Sequence, residues 1–144
     1  MWQNPVHDRT ISDVQYARTH HGSADLKGAL NASDWNRIEG NIDYIYTQML
    51  LYVDLDAITI KTWTATSLPA QADIVRLYNN INYLAAVWGA QTVYTANLDY
   101  QAVNSIEKLI ADTRAALERS VGSLYECGGF GSDIGLALFA TITI

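Results

Sequence analysis

Apolar residues spaced three and four positions apart mark the main helices of this chain. The strongest run falls in residues 31–53, where the stripe consists of Trp35, Ile38, Ile42, Ile45, Met49 and Tyr52. One side of an α-helix repeats with this spacing, so the pattern predicts an amphipathic helix packed through that stripe. Asn31 is suited to cap the helix, and Asp34 three residues later would complete a capping box.

The same spacing returns after Pro69, in Ile74, Leu77, Ile81, Leu84 and Trp88. Proline is favoured in the first turn of a helix, so a second helix is predicted here. Residues 34–45 and 73–84 also resemble each other at an offset of 39, with matches between Asp34 and Asp73, Arg37 and Arg76, and Asn41 and Asn80. We interpret this match as an internal duplication that places two related helices around one core.

A third helix is predicted over residues 97–121, with Gly122 available to end it. Its stripe consists of Val103, Ile106, Ile110 and Leu117, with Thr113 interrupting it. Three helices with a seam of this period favour a bundle. Between the first two helices, the alternating β-branched residues of 54–67 favour a short strand or an extended crossover.

The two ends of the chain have different patterns. Pro5 and the sequence His20-His21-Gly22 predict an extended N-terminal arm with one short helix around residues 13–19, and we expect the arm to lie over the bundle. At the other end, glycines at positions 128, 129, 131 and 135 precede the apolar run Leu136–Ile144, which predicts a turn and a strand.

The predicted fold class is therefore mainly α. It is a three-helix bundle with an internal helix repeat, an extended N-terminal arm and a short C-terminal β segment. Residues 1–122 would form the arm and the bundle, and residues 123–144 a glycine-rich turn and β tail of the same domain. An isolated strand cannot pair its own backbone groups, so we predict that the tail is an assembly segment. Its candidate partner contacts are Leu136, Leu138, Phe139, Ile142 and Ile144.

Composition limits the classes of partner. The formal net charge is -6 over 144 residues, and the nine Lys and Arg residues are scattered. Nucleic acid and anionic membrane surfaces require clustered basic residues, so neither is an expected partner. No segment has the roughly 18 consecutive apolar residues of a membrane span, and the first residues lack the pattern of a signal peptide.

Candidate chemistry is sparse. The single cysteine, Cys127, excludes an intramolecular disulfide, and His7, His20 and His21 lack the spacing of metal ligands. No catalytic or phosphate-binding motif is present. We therefore expect no enzyme activity, no catalytic, cofactor-binding or metal-binding residues, and no cofactor. Among the tryptophans, Trp35 and Trp88 lie on apolar stripes, which leaves Trp2 and Trp63 as candidate surface contacts.

The repeated Asp-x-x-Arg has two interpretations. An exposed ion pair one helical turn apart contributes only about 0.2–0.5 kcal/mol, too little to explain why both copies have it. Either common descent alone preserves the motif, or Arg37 and Arg76 reach buried carbonyl groups across the repeat. We favour the second interpretation.

The string Leu26–Ile45, preceded by Trp2–Pro5 and Asp8–Thr10, resembles a module of structural proteins from Firmicutes phages and prophages. Lys61–Trp63 and the second Asn-Ile-Asn-Tyr helix share the resemblance, which covers roughly residues 2–117 in order. The second copy departs from the first at Val75, which stands at the position of Asn36 in the first copy.

This resemblance implies a non-enzymatic structural or assembly protein of a tailed bacteriophage virion. The protein would be part of a tail, baseplate or fibre complex, assembled in the bacterial host cytoplasm. Its partners would be other virion structural proteins and further copies of itself. The alternatives are a head decoration or head-fibre protein, or a module that binds a carbohydrate receptor.

Overall fold

The computed structural model describes residues 1–20, 22, 26–87 and 99–126, and the side chains of the last helix up to Gly122. This part of the chain is mainly helical, with α1 at Ile11–Thr19, α2 at Ala32–Met49, α3 at Gln71–Val87 and α4 at Tyr100–Glu126. The predicted helical bundle is confirmed. Within these described ranges, no helix combines the length and apolar content that crossing a membrane requires.

The predicted start of α2 is confirmed in detail. The Asn31 side chain accepts from the backbone N–H of Asp34, and the Asp34 carboxylate accepts from the N–H of Asn31 at 3.1 Å. This capping box satisfies backbone donors that the first helical turn leaves unpaired. The helix ends earlier than predicted, at Met49, where a turn begins and Val53 N–H bonds to the Met49 carbonyl at 3.0 Å.

The other two long helices begin with related polar contacts. Ala70 N–H donates to Asp73 Oδ2 at 2.9 Å before α3, and Ala102 N–H donates to Asp99 Oδ1 at 2.8 Å at the start of α4. The prediction that Gly122 ends the third helix is wrong, because α4 continues to Glu126. Gly122 is exposed there, and a glycine inside a helix costs only about 1 kcal/mol relative to alanine.

The apolar stripes of the three long helices meet in one core. Its large and deeply buried members include Trp35, Ile38, Ile42, Ile45, Met49, Ile74, Leu77, Ile81, Leu84, Val103, Ile106 and Ile110. All the described residues of the first two predicted stripes belong to this core or pack against it. Trp88, predicted in the second stripe, lies outside the described residues.

The three long helices run parallel to one another. Arg37 and Glu107, each near the start of its helix, are in contact, and Tyr44 and Arg114 are neighbours further along α2 and α4. In the same way, Arg76 early in α3 contacts Glu39 early in α2. The connection between α2 and α3 must therefore return along the bundle before α3 begins.

The crossover between α2 and α3 makes this return as an extended segment, residues 54–69. Asp56 lies at Tyr83 late in α3, and Lys61 lies at Asp73 near the start of that helix. Ten helical residues rise about 15 Å, and five crossover residues span that length only when they are nearly fully extended. The described residues include no strand, so of the two predicted forms the structure has the extended crossover.

The N-terminal segment, residues 1–10, lies in the groove between α2 and α4. Gln3 bonds to Asn41 and Arg9 bonds to Asn104, so this segment also runs against the direction of the helices. Helix α1 follows it, and Ala17 is its buried residue. Gly28 lies so close to α1 that an added Cβ would be 2.1 Å from the Asp13 carbonyl oxygen, which only glycine avoids.

The predicted C-terminal β segment lies outside the described residues. So do Cys127 and the five candidate contacts Leu136, Leu138, Phe139, Ile142 and Ile144. The contacts expected of the tail therefore stay predictions.

Candidate functional site

A buried cluster of charges joins the N-terminal segment, α2 and α4. We call it the Glu107 cluster, and its members are Arg9, Asp34, Arg37 and Glu107. Arg37 Nε donates to Glu107 Oε1 at 2.8 Å, and Arg9 Nη1 donates to Glu107 Oε2 at 2.7 Å. Asp34 Oδ1 accepts from Arg37 Nη1 at 2.8 Å. Two guanidinium groups and two carboxylates balance in charge, which makes their burial tolerable.

The electrostatics of Arg37 follow from its neighbours. Burial by itself lowers the pKa of an arginine, but hydrogen bonds and charge attraction from Glu107 and Asp34 raise the pKa of Arg37 above its ordinary value. Its Nη2 atom is buried and has no hydrogen-bond partner among the described residues. The guanidinium is thus held charged in a nearly closed site.

A second cluster, centred on the buried Glu39, joins the crossover segment, α2 and α3. We call it the Glu39 cluster, and its members are Glu39, Lys61, Trp63, Asp73 and Arg76. Both carboxylate oxygens of Glu39 accept from Arg76, and Oε1 also accepts from Trp63 Nε1 at 3.1 Å. Lys61 N–H donates to Glu39 Oε2 at 3.2 Å, and Lys61 Nζ lies 3.2 Å from Asp73 Oδ1. Glu39 is thereby satisfied although it is only 2% exposed.

The predicted partners of the two repeated arginines require a correction. Arg37 and Arg76 do reach across to other elements, but their buried partners are the carboxylates of Glu107 and Glu39 rather than carbonyl groups. Only Arg76 also donates to a carbonyl, that of Thr59 at 2.9 Å. A guanidinium brings a full charge inside, and a carboxylate neutralises that charge whereas a carbonyl does not. The Asp34–Arg37 pair is also more enclosed than a surface pair, with side chains 14% and 12% exposed.

Asparagine side chains hold the backbone of both extended segments. Asn36 accepts from Trp63 N–H at 2.8 Å and donates to the Trp63 carbonyl at 2.9 Å. Asn104 forms the same two bonds with Arg9, at 3.3 and 2.8 Å. An amide that pairs with both groups of one residue replaces the partner strand of a β-ladder. Each extended segment is therefore fixed by a helix beside it.

The repeated asparagines Asn41 and Asn80 add a second point of attachment to each segment. Asn41 Nδ2 donates to the Gln3 carbonyl at 2.8 Å, and Asn80 Nδ2 donates to the Thr59 carbonyl at 2.8 Å. The two copies of the repeat thus use the same residue for the same contact. Each of the two related helices therefore holds one extended segment through its asparagine.

Sequence reasoning missed two asparagine-glutamate pairs that bind the extended segments. Asn36 and Glu39 on α2 bind the crossover segment, and Asn104 and Glu107 on α4 bind the N-terminal segment. The available signal was the shared spacing Asn-x-x-Glu. Val75, the departure noted in the second copy, stands where α3 would need the asparagine of this pair.

The two candidate surface tryptophans have different environments. The prediction that Trp63 is exposed is wrong: it is 3% exposed, packs on Trp35 with ring centroids 5.5 Å apart, and bonds to Glu39. Trp63 was a candidate only because it lies on no helical stripe, but the crossover that carries it lies in a groove between helices. Trp2 is partly buried against Tyr44, with ring centroids 5.8 Å apart, and the Arg114 guanidinium lies 4.2 Å above its ring.

Beyond Trp2, the groove between α2 and α4 continues as an open cavity of about 320 Å³. Tyr44, Gln48 and Tyr52 line one wall, and Arg114, Leu117 and Val121 line the other. Its lining is mainly apolar and aromatic, with a few polar groups. We call it the α2–α4 groove.

Comparison with known protein families, with curated proteins and with solved structures found no match. Over the described ranges, no group of three or more His, Cys, Asp or Glu side chains is placed to hold a metal ion.

Proposed function

We propose that this chain is a non-enzymatic structural protein of a tailed bacteriophage virion, acting through protein contacts in a tail, baseplate or fibre complex. One observation supports a structural role more than any other. Among the residues that give the chain its resemblance to phage structural modules, Arg9 and Asp34 hold the N-terminal segment against α2, and Arg37 holds α2 against α4. Their polar groups face one another inside the fold.

The two buried clusters support the same proposal. In each, a carboxylate that is at most 2% exposed accepts hydrogen bonds from arginine on a neighbouring element. Such groups fix the relative position of chain segments and favour one arrangement over others. A scaffold of this kind suits a particle component that must present the same surface in every copy.

The location of the chain in purified particles tests this proposal. Virions from a strain that encodes the chain would be separated into heads and tails, and each fraction analysed by mass spectrometry with major head and tail proteins as internal standards. We expect the chain in the tail fraction. Recovery in heads would favour the alternative of a head decoration or head-fibre protein, and absence from particles would contradict a virion role.

The proposed assembly segment is the apolar tail, Leu136–Ile144. Because α4 extends to Glu126, the chain should be shortened after that residue so that no helix is cut. The shortened chain is expected to keep its helical circular dichroism and to lose oligomerisation and incorporation into particles. Unfolding would instead make the tail part of the monomer's own core, and normal assembly would place the interface on the helices or the N-terminal segment.

The carbohydrate-receptor alternative rests on exposed aromatic side chains. The burial of Trp63 removes one of the two tryptophans on which it depended. Binding of the purified chain to a glycan array, with a Trp2→Ala variant as control, distinguishes receptor recognition from assembly.

A further inference from the structure

We propose that the α2–α4 groove is the docking site for the C-terminal segment Leu136–Ile144 of a second copy of this chain. The inference rests on the assembly function proposed above and assigns that function a surface. The internal duplication provides its main argument, because the molecule contains a filled version of the same groove.

The filled version lies between α2 and α3. There the crossover segment passes Tyr83, and the backbone N–H of Asp56 donates to Tyr83 Oη at 2.9 Å. Leu55 and Ile58 on either side of that contact pack against the core. The occupant is thus a short extended peptide with apolar residues facing inward and one backbone donor bound to a tyrosine.

Tyr44 is the counterpart of Tyr83 in the first copy, 39 residues earlier. It lines the α2–α4 groove, and among the described residues its hydroxyl has no hydrogen-bond partner. The N-terminal segment follows this groove only as far as Trp2, which packs on the Tyr44 ring. No residue in the described part of the chain fills the corresponding stretch of the α2–α4 groove.

The size and lining of the groove suit an extended peptide. Seven residues of α4 separate Arg114 from Val121, a rise of about 10 Å, which matches about three residues of extended chain. Leu117 and Val121 offer apolar contacts, while Gln48 and the Tyr44 hydroxyl offer partners for backbone groups. A groove of this type gives an extended segment the backbone hydrogen-bond partners that it lacks when it is isolated.

The sequence of the tail suits an extended occupant with one apolar side. Every second residue of the segment is apolar, namely Leu136, Leu138, Ala140, Ile142 and Ile144. This alternation, with β-branched residues from Thr141 onward, favours an extended backbone.

Two features favour a second copy over the chain's own tail. Leu50 and Leu51 are 44% and 68% exposed directly before Tyr52, so the apolar surface continues past the groove. The groove also holds only about three of the nine residues in Leu136–Ile144. A neighbouring copy would cover the exposed leucines and the rest of the segment, and mutual exchange of tails between two copies would give a closed dimer.

Disulfide trapping in the full-length chain tests this inference. In a Cys127→Ser background, a Gln48→Cys chain and a larger, tagged Ala140→Cys chain would be produced together and oxidised mildly. We expect a mixed disulfide in much higher yield than in a control where Lys108→Cys replaces Gln48→Cys. Lys108 lies on another face of α4, and its side chain is 64% exposed. A yield equal to that of the Lys108→Cys control would overturn the proposal. So would a chain bearing both Gln48→Cys and Ala140→Cys that forms only an internal disulfide, because its own tail would then fill the groove.

A second measurement separates the groove from general folding. Tyr44→Phe keeps the ring that packs on Trp2 and removes only the hydroxyl, so the fold should persist while the dimer dissociation constant rises about five-fold in sedimentation analysis. An unchanged constant would contradict the role of Tyr44. If the chain is found in purified tails but no mixed disulfide is trapped, the proposed virion function holds. The α2–α4 groove is then not the docking site.

Discussion

Arg37 and Glu107 lie 70 residues apart in the sequence, yet Arg37 Nε donates to Glu107 Oε1 at 2.8 Å. Two residues after Arg37, Glu39 on the same helix receives Arg76 from α3. Helix α2 thus contributes an arginine to its contact with α4 and a carboxylate to its contact with α3. The polar contacts of the bundle converge on α2, while α3 and α4 pack most extensively against each other.

Removal of the Glu107 charge tests the first of these contacts. Glu107→Gln would leave Arg9 and Arg37 buried with one carboxylate between them, and loss of one member of a buried ion pair costs about 3–5 kcal/mol. We expect a loss of this size in the free energy of unfolding, measured with urea. The matched control is Asp112→Asn, since Asp112 is 50% exposed in its pair with Lys108 and should contribute less than about 1 kcal/mol. Equal effects of the two substitutions would show that the Glu107 cluster is not enclosed in solution.

The fork geometry of the repeated arginines gives a second prediction. Arg37 contacts Asp34 and Glu107 with different nitrogen atoms, and a lysine has only one nitrogen to offer. Arg37→Lys and Arg76→Lys should each cost about 1–3 kcal/mol in thermal or urea unfolding. Arg119→Lys, at an exposed position of α4, serves as the control. Losses below about 0.5 kcal/mol at both positions would favour common descent as the reason for the repeated motif.

The core positions of the two repeated helices give a third prediction. Ile42 and Ile81 occupy corresponding positions and are both fully buried. Ile→Ala at either site should destabilise the fold by about 2–5 kcal/mol, because the space left by the side chain is not refilled. Ile11, 51% exposed on α1, should tolerate the same change with little loss. Melting curves of the two core variants that overlay the parent curve would contradict the assignment of these faces to the core.

The helices could be predicted from the sequence because each has a local signal. The stripe containing Ile38 and Ile42 and the capping residues Asn31 and Asp34 all lie within one short stretch, and the structure uses them as the pattern indicates. The prediction that Gly122 ends α4 was wrong because an exposed glycine lowers helix stability only slightly, so the helix continues past it.

The buried clusters could not be predicted in the same way, because their members come together only in the folded chain. Arg9 and Glu107 are 98 residues apart, and no local pattern indicates that an extended segment runs antiparallel to the helices. The same lack of a local signal explains the error at Trp63, because its burial depends on Glu39 and Asn36 from another element. The Asn-x-x-Glu spacing on α2 and α4 was visible but has no meaning without that geometry.

The pKa of Asp73 gives a prediction about acid. Burial raises the pKa of this carboxyl group, but the hydrogen bond from Ala70 N–H and the charges of Lys61 and Arg76 outweigh burial and hold the pKa below its ordinary value of 3.8. A carboxyl group with a lowered pKa in the folded state stabilises the fold above the unfolded pKa, and this contribution is lost as the pH falls through the folded value. Asp73→Asn should therefore reduce the dependence of unfolding free energy on pH below about pH 4. Parent and variant with the same acid slope would contradict the contact between Asp73 and its neighbours.

The asparagine contacts give a prediction that is local rather than global. Asn104 accepts from Arg9 N–H at 3.3 Å, and Asn36 accepts from Trp63 N–H at 2.8 Å, so each holds a different extended segment. In Asn104→Ala the Arg9 amide should exchange with solvent about ten-fold faster while the Trp63 amide keeps its rate, and Asn36→Ala should have the opposite effect. Each variant is the control for the other in hydrogen exchange followed by nuclear magnetic resonance. If both amides accelerate equally in both variants, the substitutions weaken the whole bundle, and the extended segments are not held separately by the two asparagines.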